Sequence, residues 1–313
     1  MSDAPQSAPE LLAIDAGQTG IKVRLRRADG STHDDVFSGV LTDRPLLGQL
    51  AEVAESVVRS AGAAPHTMTL GVSGLTDARV EAEGLMQRPA LAGVQRIVAT
   101  HDSVTSFLGV LGDQYGSVVA AGTGVVTLGV GPQHSTRVDG WGYIMGDAGS
   151  GYWIGRAALD AVMRAYDGRG PVTALTASVQ ERWPDLESAY TQLQASHDRV
   201  RTVASFAAKV AEFAGTGDAV AVRICQEAAR ELALAALASL RVVDAPADAA
   251  VGAVGGVFGS DAIRSAFIDA VRAERSDARF VPPIGSGIDG AVALADLGPN
   301  HPLRERFADV TRG

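Results

Sequence analysis

The feature that most constrains the fold is a glycine-turn hairpin that occurs twice. Leu11 to Arg27 reads LLAIDAGQTGIKVRLRR, an apolar run that breaks at a glycine turn and resumes with alternating apolar and polar residues. Ser117 to Val130, SVVAAGTGVVTLGV, repeats this order about a hundred residues later. Apolar runs on both sides of a short glycine turn predict a strand, a tight turn and a returning strand. The chain is therefore predicted to consist of two related halves, each opened by a hairpin.

Helical patterns follow each hairpin, so strands and helices alternate along the chain. Helices are predicted at Pro45 to Ser60, Trp153 to Tyr166, Val200 to Phe213 and Ala219 to Leu240, and short buried strands at Met68 to Val72, Arg96 to Ala99 and Ala249 to Val254. Asp167 to Ser196 is polar and turn-rich, and the tail after Pro299 has no clear pattern. This order predicts an α/β architecture. A length of 313 residues favours two domains, with a boundary near Tyr115, where the second hairpin starts.

Charge and cysteine content exclude several classes of function. The formal net charge is -9, and no basic block is present that would neutralise a nucleic-acid backbone. Apolar runs are short, and Met1 to Glu10 lacks the basic and apolar regions of a signal peptide, so no membrane association is expected. Cys225 is the only cysteine, which excludes an internal disulfide or a thiolate cluster and fits a reducing cytoplasm.

The first hairpin turn carries residues suited to holding phosphate. Asp15 ends the apolar run, and its carboxylate would hold hydrated magnesium. Backbone N–H groups of small turn residues approach an anion closely, and the turn here consists of Gly17, Gln18, Thr19 and Gly20. Lys22 on the returning strand would reach a transferring phosphoryl oxygen. An ordinary glycine turn with a surface lysine explains the same residues and stays open.

Glycines of the second half offer similar backbone access to a ligand. In the second hairpin turn a hydroxyl donor lies between two glycines, Gly122-Thr123-Gly124. A later apolar strand runs into glycines on which an adenine ring and ribose would pack, Gly255, Gly256 and Gly259. Close packing of backbone on backbone is the alternative for either segment alone. The pairing of two glycine hairpins favours two phosphate loops that face each other across a cleft.

Two acidic residues are candidates for chemistry. Asp147 lies in the glycine-rich stretch Gly140 to Gly155, GWGYIMGDAGSGYWIG, which predicts a ligand-lining loop that enters a helix near Tyr152. Asp147 would bind a sugar hydroxyl there, and an irregular loop anchored by aromatic residues is the alternative. Asp102 follows a predicted strand and precedes a predicted helix, where it would accept the proton of a hydroxyl during phosphoryl transfer. The alternative for Asp102 is a helix N-cap. The neighbouring His101 is predicted to lie at the surface.

These residues resemble the actin-like ATPase superfamily, and within it the BadF/BadG/BcrA/BcrD-type family that includes N-acetylglucosamine kinases. The resemblance runs from Leu12 to Ala295. Asp15 to Lys22 is similar to the first phosphate motif, Ala121 to Gly124 to the second, and Gly252 to Gly259 to the adenosine motif. The most specific match is WGYIMGDAGSG, Trp141 to Gly151, which is similar to the signature of the amino-sugar kinases.

The resemblance implies two ribonuclease-H-like lobes with a nucleotide cleft between them. The N-terminal lobe would span residues 10–115 and the C-terminal lobe 116–290, while a helix and tail at 291–313 would return toward the first lobe. The implied activity is the transfer of phosphate from ATP, with Mg²⁺, to an amino-sugar hydroxyl, best the 6-hydroxyl of N-acetylglucosamine or glucosamine. A homodimer is expected from the family.

The resemblance also implies roles for individual residues. Asp102 would be the general base, and Asp15 would organise Mg²⁺ through water. Thr123 and the adjoining glycines would meet the terminal phosphates. The sugar would be lined by residues of the signature loop, Trp141, Gly142 and Asp147.

Two departures from the family concern the sugar. Related N-acetylglucosamine kinases carry an acidic residue after the motif Asp, where this chain has Ala148. They also hold the sugar with an Asn of a first-lobe loop, whereas the only Asn here is Asn300. Asp43, within Phe37 to Arg44, is the predicted replacement. An acceptor outside the amino sugars therefore stays open.

Two other functions would use part of the same set of residues. A nonenzymatic nucleotide switch needs the nucleotide loops but no acceptor base, so the presence of Asp102 argues against it. Activator ATPases of CoA-ester reductases and dehydratases, a second branch of the family, need cysteines that ligate an iron–sulfur cluster. Cys225 alone does not supply them.

Overall fold

The computed structural model describes residues 10–41 and 44–313. In chain order its strands and helices are β1 (Leu11–Ala16), β2 (Ile21–Arg26), β3 (Thr32–Phe37), α1 (Leu46–Ala61), β4 (Thr67–Val72), α2 (Ala78–Met86), β5 (Arg96–His101), α3 (Asp102–Leu111), β6 (Gly116–Ala121), β7 (Val125–Val130), β8 (Ser135–Val138), α4 (Gly151–Tyr166), α5 (Leu175–Arg182), α6 (Leu186–Ala195), α7 (Arg199–Gly215), α8 (Ala219–Val242), β9 (Ala250–Val254), α9 (Asp261–Glu274), β10 (Arg279–Phe280), α10 (Gly287–Ala293) and β11 (Phe307–Thr311). The predicted α/β class is confirmed.

The chain divides into two compact units. Unit 1 comprises Met1–Gln114, Gln133–Ser135 and Pro283–Gly313, and unit 2 comprises Tyr115–Pro132 and Thr136–Pro282. Each unit contains one of the two glycine hairpins, because β1 and β2 belong to unit 1 and β6 and β7 to unit 2. The lobe boundaries taken from the family resemblance remain predictions.

Unit 1 is built on a six-stranded sheet in the order β11-β5-β4-β1-β2-β3. β1 pairs antiparallel with β2 and parallel with β4, and β4 pairs parallel with β5. β1 is buried on both faces. Ile288 and Ala291 of α10 cover Ala13 on one side, and Leu12 and Ile14 join the main core of the unit on the other. The strand that carries Asp15 is therefore held rigidly in the centre of the sheet.

The C-terminal tail forms a strand that the sequence did not predict. β11 pairs antiparallel with β5, and Nε and Nη2 of Arg96 each donate a hydrogen bond of 2.8 Å to the carboxylate of Asp309. The prediction of a tail without a pattern was wrong because its charged residues find their partners on a strand about 200 residues earlier.

Unit 2 is built on a five-stranded sheet in the order β10-β9-β6-β7-β8. β6 pairs antiparallel with β7 and parallel with β9. Helix α8 crosses the core and buries Ala228, Leu232 and Ala236. None of the helices in the described ranges combines the length and the apolar character that crossing a membrane requires.

The segment predicted to be turn-rich, Asp167 to Ser196, contains two short helices, α5 and α6. Leu175 and Val179 of α5 and Leu186 of α6 are buried in the unit 2 core. The prediction was wrong because each helix exposes mostly polar residues and buries only two or three side chains. So weak a periodicity is hard to distinguish from a polar loop.

Candidate active site

In unit 1, Asp15 lies near the end of β1, directly before the first glycine turn. It is paired with Lys22 across the hairpin, and its Oδ1 accepts a hydrogen bond of 3.1 Å from the Thr105 hydroxyl. Burial raises the pKa of Asp15 to about 6, and the charge of Asp102 adds to the increase. The Thr105 hydrogen bond and the Lys22 charge lower this pKa. Because burial disfavours the anion, a cation bound beside Asp15 would favour its charged form.

The first glycine turn presents its middle residues to solvent. The N–H of Gly17 donates to the carbonyl oxygen of Gly20 at 3.0 Å and closes the turn, while Gln18 and Thr19 are exposed. Lys22 is exposed on β2. The residues predicted to bind phosphate in unit 1 therefore occupy one hairpin beside Asp15.

Asp102 begins helix α3 at the end of β5. The Thr105 hydroxyl that reaches Asp15 also lies 3.0 Å from the main-chain oxygen of Asp102, so Asp15 lies beside the first turn of α3, which Asp102 begins. The N-cap alternative for Asp102 is wrong, because the N-cap of α3 is His101, whose Nδ1 lies 3.2 Å from the backbone nitrogen of Ser103. Oδ1 of Asp102 is buried 2.9 Å from Nδ1 of His101, and apart from that nitrogen it has no hydrogen-bond partner in the described part of the chain. The Asp102 carboxylate is thus available for chemistry.

In unit 2, the second glycine turn contacts the start of α4. The N–H of Gly122 donates to the carbonyl oxygen of Gly124 at 2.8 Å. The carbonyl oxygens of Gly122 and Thr123 accept hydrogen bonds of 2.8 and 3.0 Å from the N–H groups of Gly151 and Tyr152. The glycine-rich signature therefore ends in a helix next to the second turn.

Asp147 lies directly against this turn. A Cβ at Gly124 would come within 2.6 Å of Oδ2 of Asp147, so a side chain at that position would displace the carboxylate. Oδ1 of Asp147 accepts a hydrogen bond of 3.0 Å from the N–H of Gly142. Burial raises the pKa of Asp147, the Gly142 hydrogen bond lowers it, and the charge of Asp139 raises it. The structure thus groups Asp147, Gly142 and the second turn.

Asp139 is a site residue that the sequence reasoning missed. Its two carboxylate oxygens accept hydrogen bonds of 2.8 and 2.9 Å from the N–H groups of Asp147 and Ala148. Asp139 and Asp147 both have φ 58°, a left-handed conformation that Asp tolerates better than most residues. The dipeptide Asp139-Gly140 is a turn signal from which this role could have been suspected.

Two further residues were predicted to bind the sugar, Trp141 and Asp43, and the structure describes only Trp141. Trp141 is 61% exposed, and the guanidinium carbon of Arg137 lies 4.6 Å from its ring centroid. Trp141, Gly142 and Asp147 occupy one loop. Asp43 lies outside the described residues.

The three glycines predicted to bind adenosine differ in their surroundings. Gly255 has φ 99°, and a side chain there would overlap the backbone of Ala121 at the end of β6. Gly255 is therefore required for packing beside the second turn. A Cβ at Gly256 or Gly259 would meet no atom within 4 Å, so these two leave space for a ligand.

The acids fit one mode of metal binding. Within residues 10–41 and 44–313, no group of three or more His, Cys, Asp or Glu side chains could enclose a metal ion. Mg²⁺ needs no such cluster, because it keeps several waters and binds one or two carboxylates together with substrate phosphates. Asp15 supplies a carboxylate of this kind.

Cys225 is buried in α8, and burial raises the pKa of its thiol to about 11, so it is not a thiolate at neutral pH.

A sequence profile of the BadF/BadG/BcrA/BcrD ATPase family matches residues 12–295. The chain belongs to this family. The match includes both glycine hairpins, Asp102 and the signature loop. Membership of the BadF/BadG/BcrA/BcrD family was predicted from these motifs and is confirmed.

The chain is similar to a curated kinase and to a solved structure. It is 32% identical over 157 residues to an N-acetylmuramic acid/N-acetylglucosamine kinase of Clostridium acetobutylicum, a match that covers 49% of this chain and 51% of that protein. The chain thus spans about half the length of this curated relative. A crystal structure of a Chromobacterium violaceum protein assigned as an N-acetylglucosamine kinase aligns over 92% of this chain and 99% of that one, with 26% identity and a TM-score of 0.73.

A ROK family glucokinase from Streptomyces griseus, solved with glucose and AMPPNP, is similar in fold. It aligns over 92% of this chain and 99% of that chain, with 18% identity and a TM-score of 0.54. With the Chromobacterium structure, this similarity confirms the predicted fold, that of the actin-like ATPase sugar kinases.

Proposed function

We propose that the chain is an ATP-dependent kinase that phosphorylates a hydroxyl, the 6-hydroxyl, of an amino sugar such as N-acetylglucosamine. Membership of an ATPase family supports ATP as co-substrate. Similarity to proteins named as N-acetylglucosamine kinases supports the amino sugar. Use of ATP and a single buried thiol favour a cytoplasmic enzyme, and a homodimer remains a prediction from the family.

The observation that carries the proposal is the position of Asp15 beside the first turn of α3, which begins at Asp102. The Thr105 hydroxyl lies 3.1 Å from Oδ1 of Asp15 and 3.0 Å from the main-chain oxygen of Asp102. Two acids with different tasks, charge compensation near phosphate and proton acceptance, are what phosphoryl transfer to a hydroxyl requires. A nucleotide switch requires only the first of them.

In the proposed reaction, Asp102 accepts the proton of the acceptor hydroxyl. The acceptor oxygen forms its bond to the γ-phosphorus of ATP while the bond from that phosphorus to the β,γ-bridging oxygen breaks, and ADP leaves. Backbone N–H groups of the two glycine turns, together with Lys22, would stabilise the charge on the phosphate oxygens. Bound Mg²⁺ would neutralise the β- and γ-phosphates, and Asp15 would hold it through water.

The sugar and the adenosine would be held by unit 2. Asp147 would accept hydrogen bonds from sugar hydroxyls through Oδ2, because Oδ1 is already bound to Gly142. The exposed face of Trp141 would cover the apolar face of the sugar ring. Adenosine would pack over Gly256 and Gly259, where the backbone is open.

The test is ATP consumption by purified protein with Mg²⁺ against N-acetylglucosamine, glucosamine, N-acetylmuramic acid, glucose and no sugar. We expect ADP to form only with an amino sugar, and phosphorus NMR of the product to show a 6-phosphate ester. Asp102→Asn is the control for contaminating kinases. ATP binding without turnover on any sugar would contradict the proposal and favour the switch.

A further inference from the structure

The ring of His101 lies against the carboxylate that we assign as the proton acceptor. His101 ends β5 and Asp102 begins α3, so both side chains leave the backbone at one strand-to-helix junction. Nδ1 of His101 is 2.9 Å from Oδ1 of Asp102. The two side chains are only 26% and 24% exposed, so solvent screens this contact in part.

Nδ1 of His101 also has partners on Ser103. The Ser103 N–H lies 3.2 Å and the Ser103 hydroxyl 3.0 Å from this nitrogen. A nitrogen of neutral imidazole is either a donor or an acceptor. Nδ1 therefore cannot accept from the Ser103 N–H and donate to Asp102 at the same time, and the two arrangements require different tautomers of the ring.

Oδ1 of Asp102 favours one of the two tautomers. This oxygen is buried, and apart from Nδ1 of His101 no group in the described residues is placed to donate to it. If Nδ1 carried a lone pair, two acceptors would face each other at 2.9 Å and the carboxylate oxygen would stay unpaired. A hydrogen bond to a charged acceptor is about twice as strong as one between neutral groups. A proton on Nδ1 that bonds to Asp102 therefore outweighs the cap on Ser103.

We infer that His101 is a positioning residue for Asp102: its Nδ1–H donates to Oδ1 and orients the carboxylate so that Oδ2 faces the acceptor hydroxyl. The inference rests on the proposed kinase function, because it assigns the proton transfer to Oδ2. With Oδ1 enclosed and held, Oδ2 is the oxygen left for the substrate. Fixed orientation matters because catalysis is highly sensitive to small displacements of a reacting group.

Three substitutions at His101 separate positioning from helix capping. His101→Asn keeps an N–H donor and a capping oxygen, His101→Ser keeps only the capping oxygen, and His101→Ala removes both. We expect kcat of the Asn variant to stay near that of the wild type, and kcat of the Ser and Ala variants to fall roughly tenfold to a hundredfold. The KM values for ATP and sugar should stay within about twofold, because ground-state binding is not altered.

Thermal stability distinguishes the structural role from the positioning role. His101→Ser should have a higher Tm than His101→Ala but an equally low kcat, because Ser caps the helix without reaching Asp102. If His101→Ser restores kcat together with Tm, His101 acts as a cap alone and the inference is overturned.

The tautomer of the ring tests the inference without any assay of activity. NMR of protein with ¹⁵N-labelled histidine, recorded at about pH 8 where an ordinary imidazole is neutral, should show the proton of His101 on Nδ1. His101→Asn identifies this signal among the six histidines. In Asp102→Ala the proton should move to Nε2, because Nδ1 then accepts from the Ser103 N–H.

The two measurements fail independently of each other. A wild-type ring protonated on Nε2 alone overturns the inference even if the protein phosphorylates a sugar. A ring protonated on Nδ1 in a protein that phosphorylates no sugar overturns the proposed function, and with it the assignment of Oδ2, while the contact between His101 and Asp102 stands.

Discussion

The two glycine hairpins share a plan but differ in charge. In each, a six-residue strand runs into a glycine turn and returns antiparallel. The fifth residue of β1 is Asp15, which pairs with Lys22, whereas the fifth residue of β6 is Ala120, which pairs with Val126. The first hairpin thus carries an acid and a base of its own, and the second carries neither.

The second turn obtains its acid from elsewhere in the chain. Asp147, from the signature loop, lies against Gly124 of the turn, whereas Asp15 of the first hairpin lies against Gly287 at the start of α10. In unit 1 the acid belongs to the hairpin and the glycine it contacts lies far along the chain. In unit 2 the glycine belongs to the hairpin and the acid comes from another segment. The repeated hairpin thus sets the backbone of both turns, whereas the acid comes from the hairpin itself in unit 1 and from the signature loop in unit 2.

The largest expected effect is on catalysis, where substitution of Asp102 in unit 1 should act differently from substitution of Asp147 in unit 2. Asp102→Asn should lower kcat about a hundredfold to ten-thousandfold, because an amide cannot accept the proton. Asp147→Asn should instead raise the KM for the sugar, because Asn keeps the left-handed backbone but binds hydroxyls more weakly. Steady-state kinetics with varied sugar and ATP measure both. Equal effects of the two substitutions on kcat would contradict the division of roles.

Asp15 should lower the free energy of unfolding at neutral pH, an effect that the second hairpin lacks because it carries no acid of its own. The pKa of Asp15 is raised from 3.8 to about 6, so the folded state holds the proton more tightly than the unfolded state. The free energy of unfolding should therefore fall as pH rises from about 4 to about 6 and then level off.

Asp15→Asn removes this penalty. Above pH 6 the variant should be more stable than the wild type by up to about 3 kcal/mol, and the gain should disappear near pH 4. Urea denaturation at several pH values measures it, with Asp269→Asn on the exposed face of α9 as the control. A gain that does not change with pH would contradict the assigned pKa. The variant should also lose kinase activity.

Two glycines of the second turn test the contact with Asp147. Gly124→Ala places a Cβ 2.6 Å from Oδ2 of Asp147 and should destabilise the protein by about 1–3 kcal/mol and raise the KM for the sugar. Gly122→Ala meets no atom within 4 Å and should leave Tm unchanged. Thermal denaturation measures the Tm of both variants. Equal losses of Tm would show that the position of the Asp147 carboxylate does not require a glycine at position 124.

The smallest expected effect concerns Thr105 of α3, whose hydroxyl donates to the acid of the first hairpin. The hydrogen bond from Thr105 lowers the pKa of Asp15. Thr105→Val removes the donor and should move the acid limb of the pH–rate profile to higher pH by about half a unit to one unit, a change of about 1 kcal/mol. Thr105→Ser keeps the hydroxyl and should leave the profile unshifted. A shift in both variants would indicate altered packing.

Local patterns determined much of this protein from its sequence. Both hairpins, the long helices and the α/β class follow from strand and helix periodicity and from glycine turns, which depend on residues close together in the chain. The glycine-rich signature also indicated that Asp147 lies in a loop before a helix, and α4 begins at Gly151.

Only the tertiary structure decided how the acids are surrounded. The bond of Asp139 to the Asp147 loop, the hydrogen bond of Thr105 to Asp15, and the pairing of β11 with β5 join groups that no local pattern relates. Gly255 packs on Ala121, and its contact with adenosine remains a prediction. Turn chemistry and periodicity act over a few residues, whereas burial and hydrogen bonding between distant segments exist only after the chain has folded, and they set the protonation and orientation of each carboxylate.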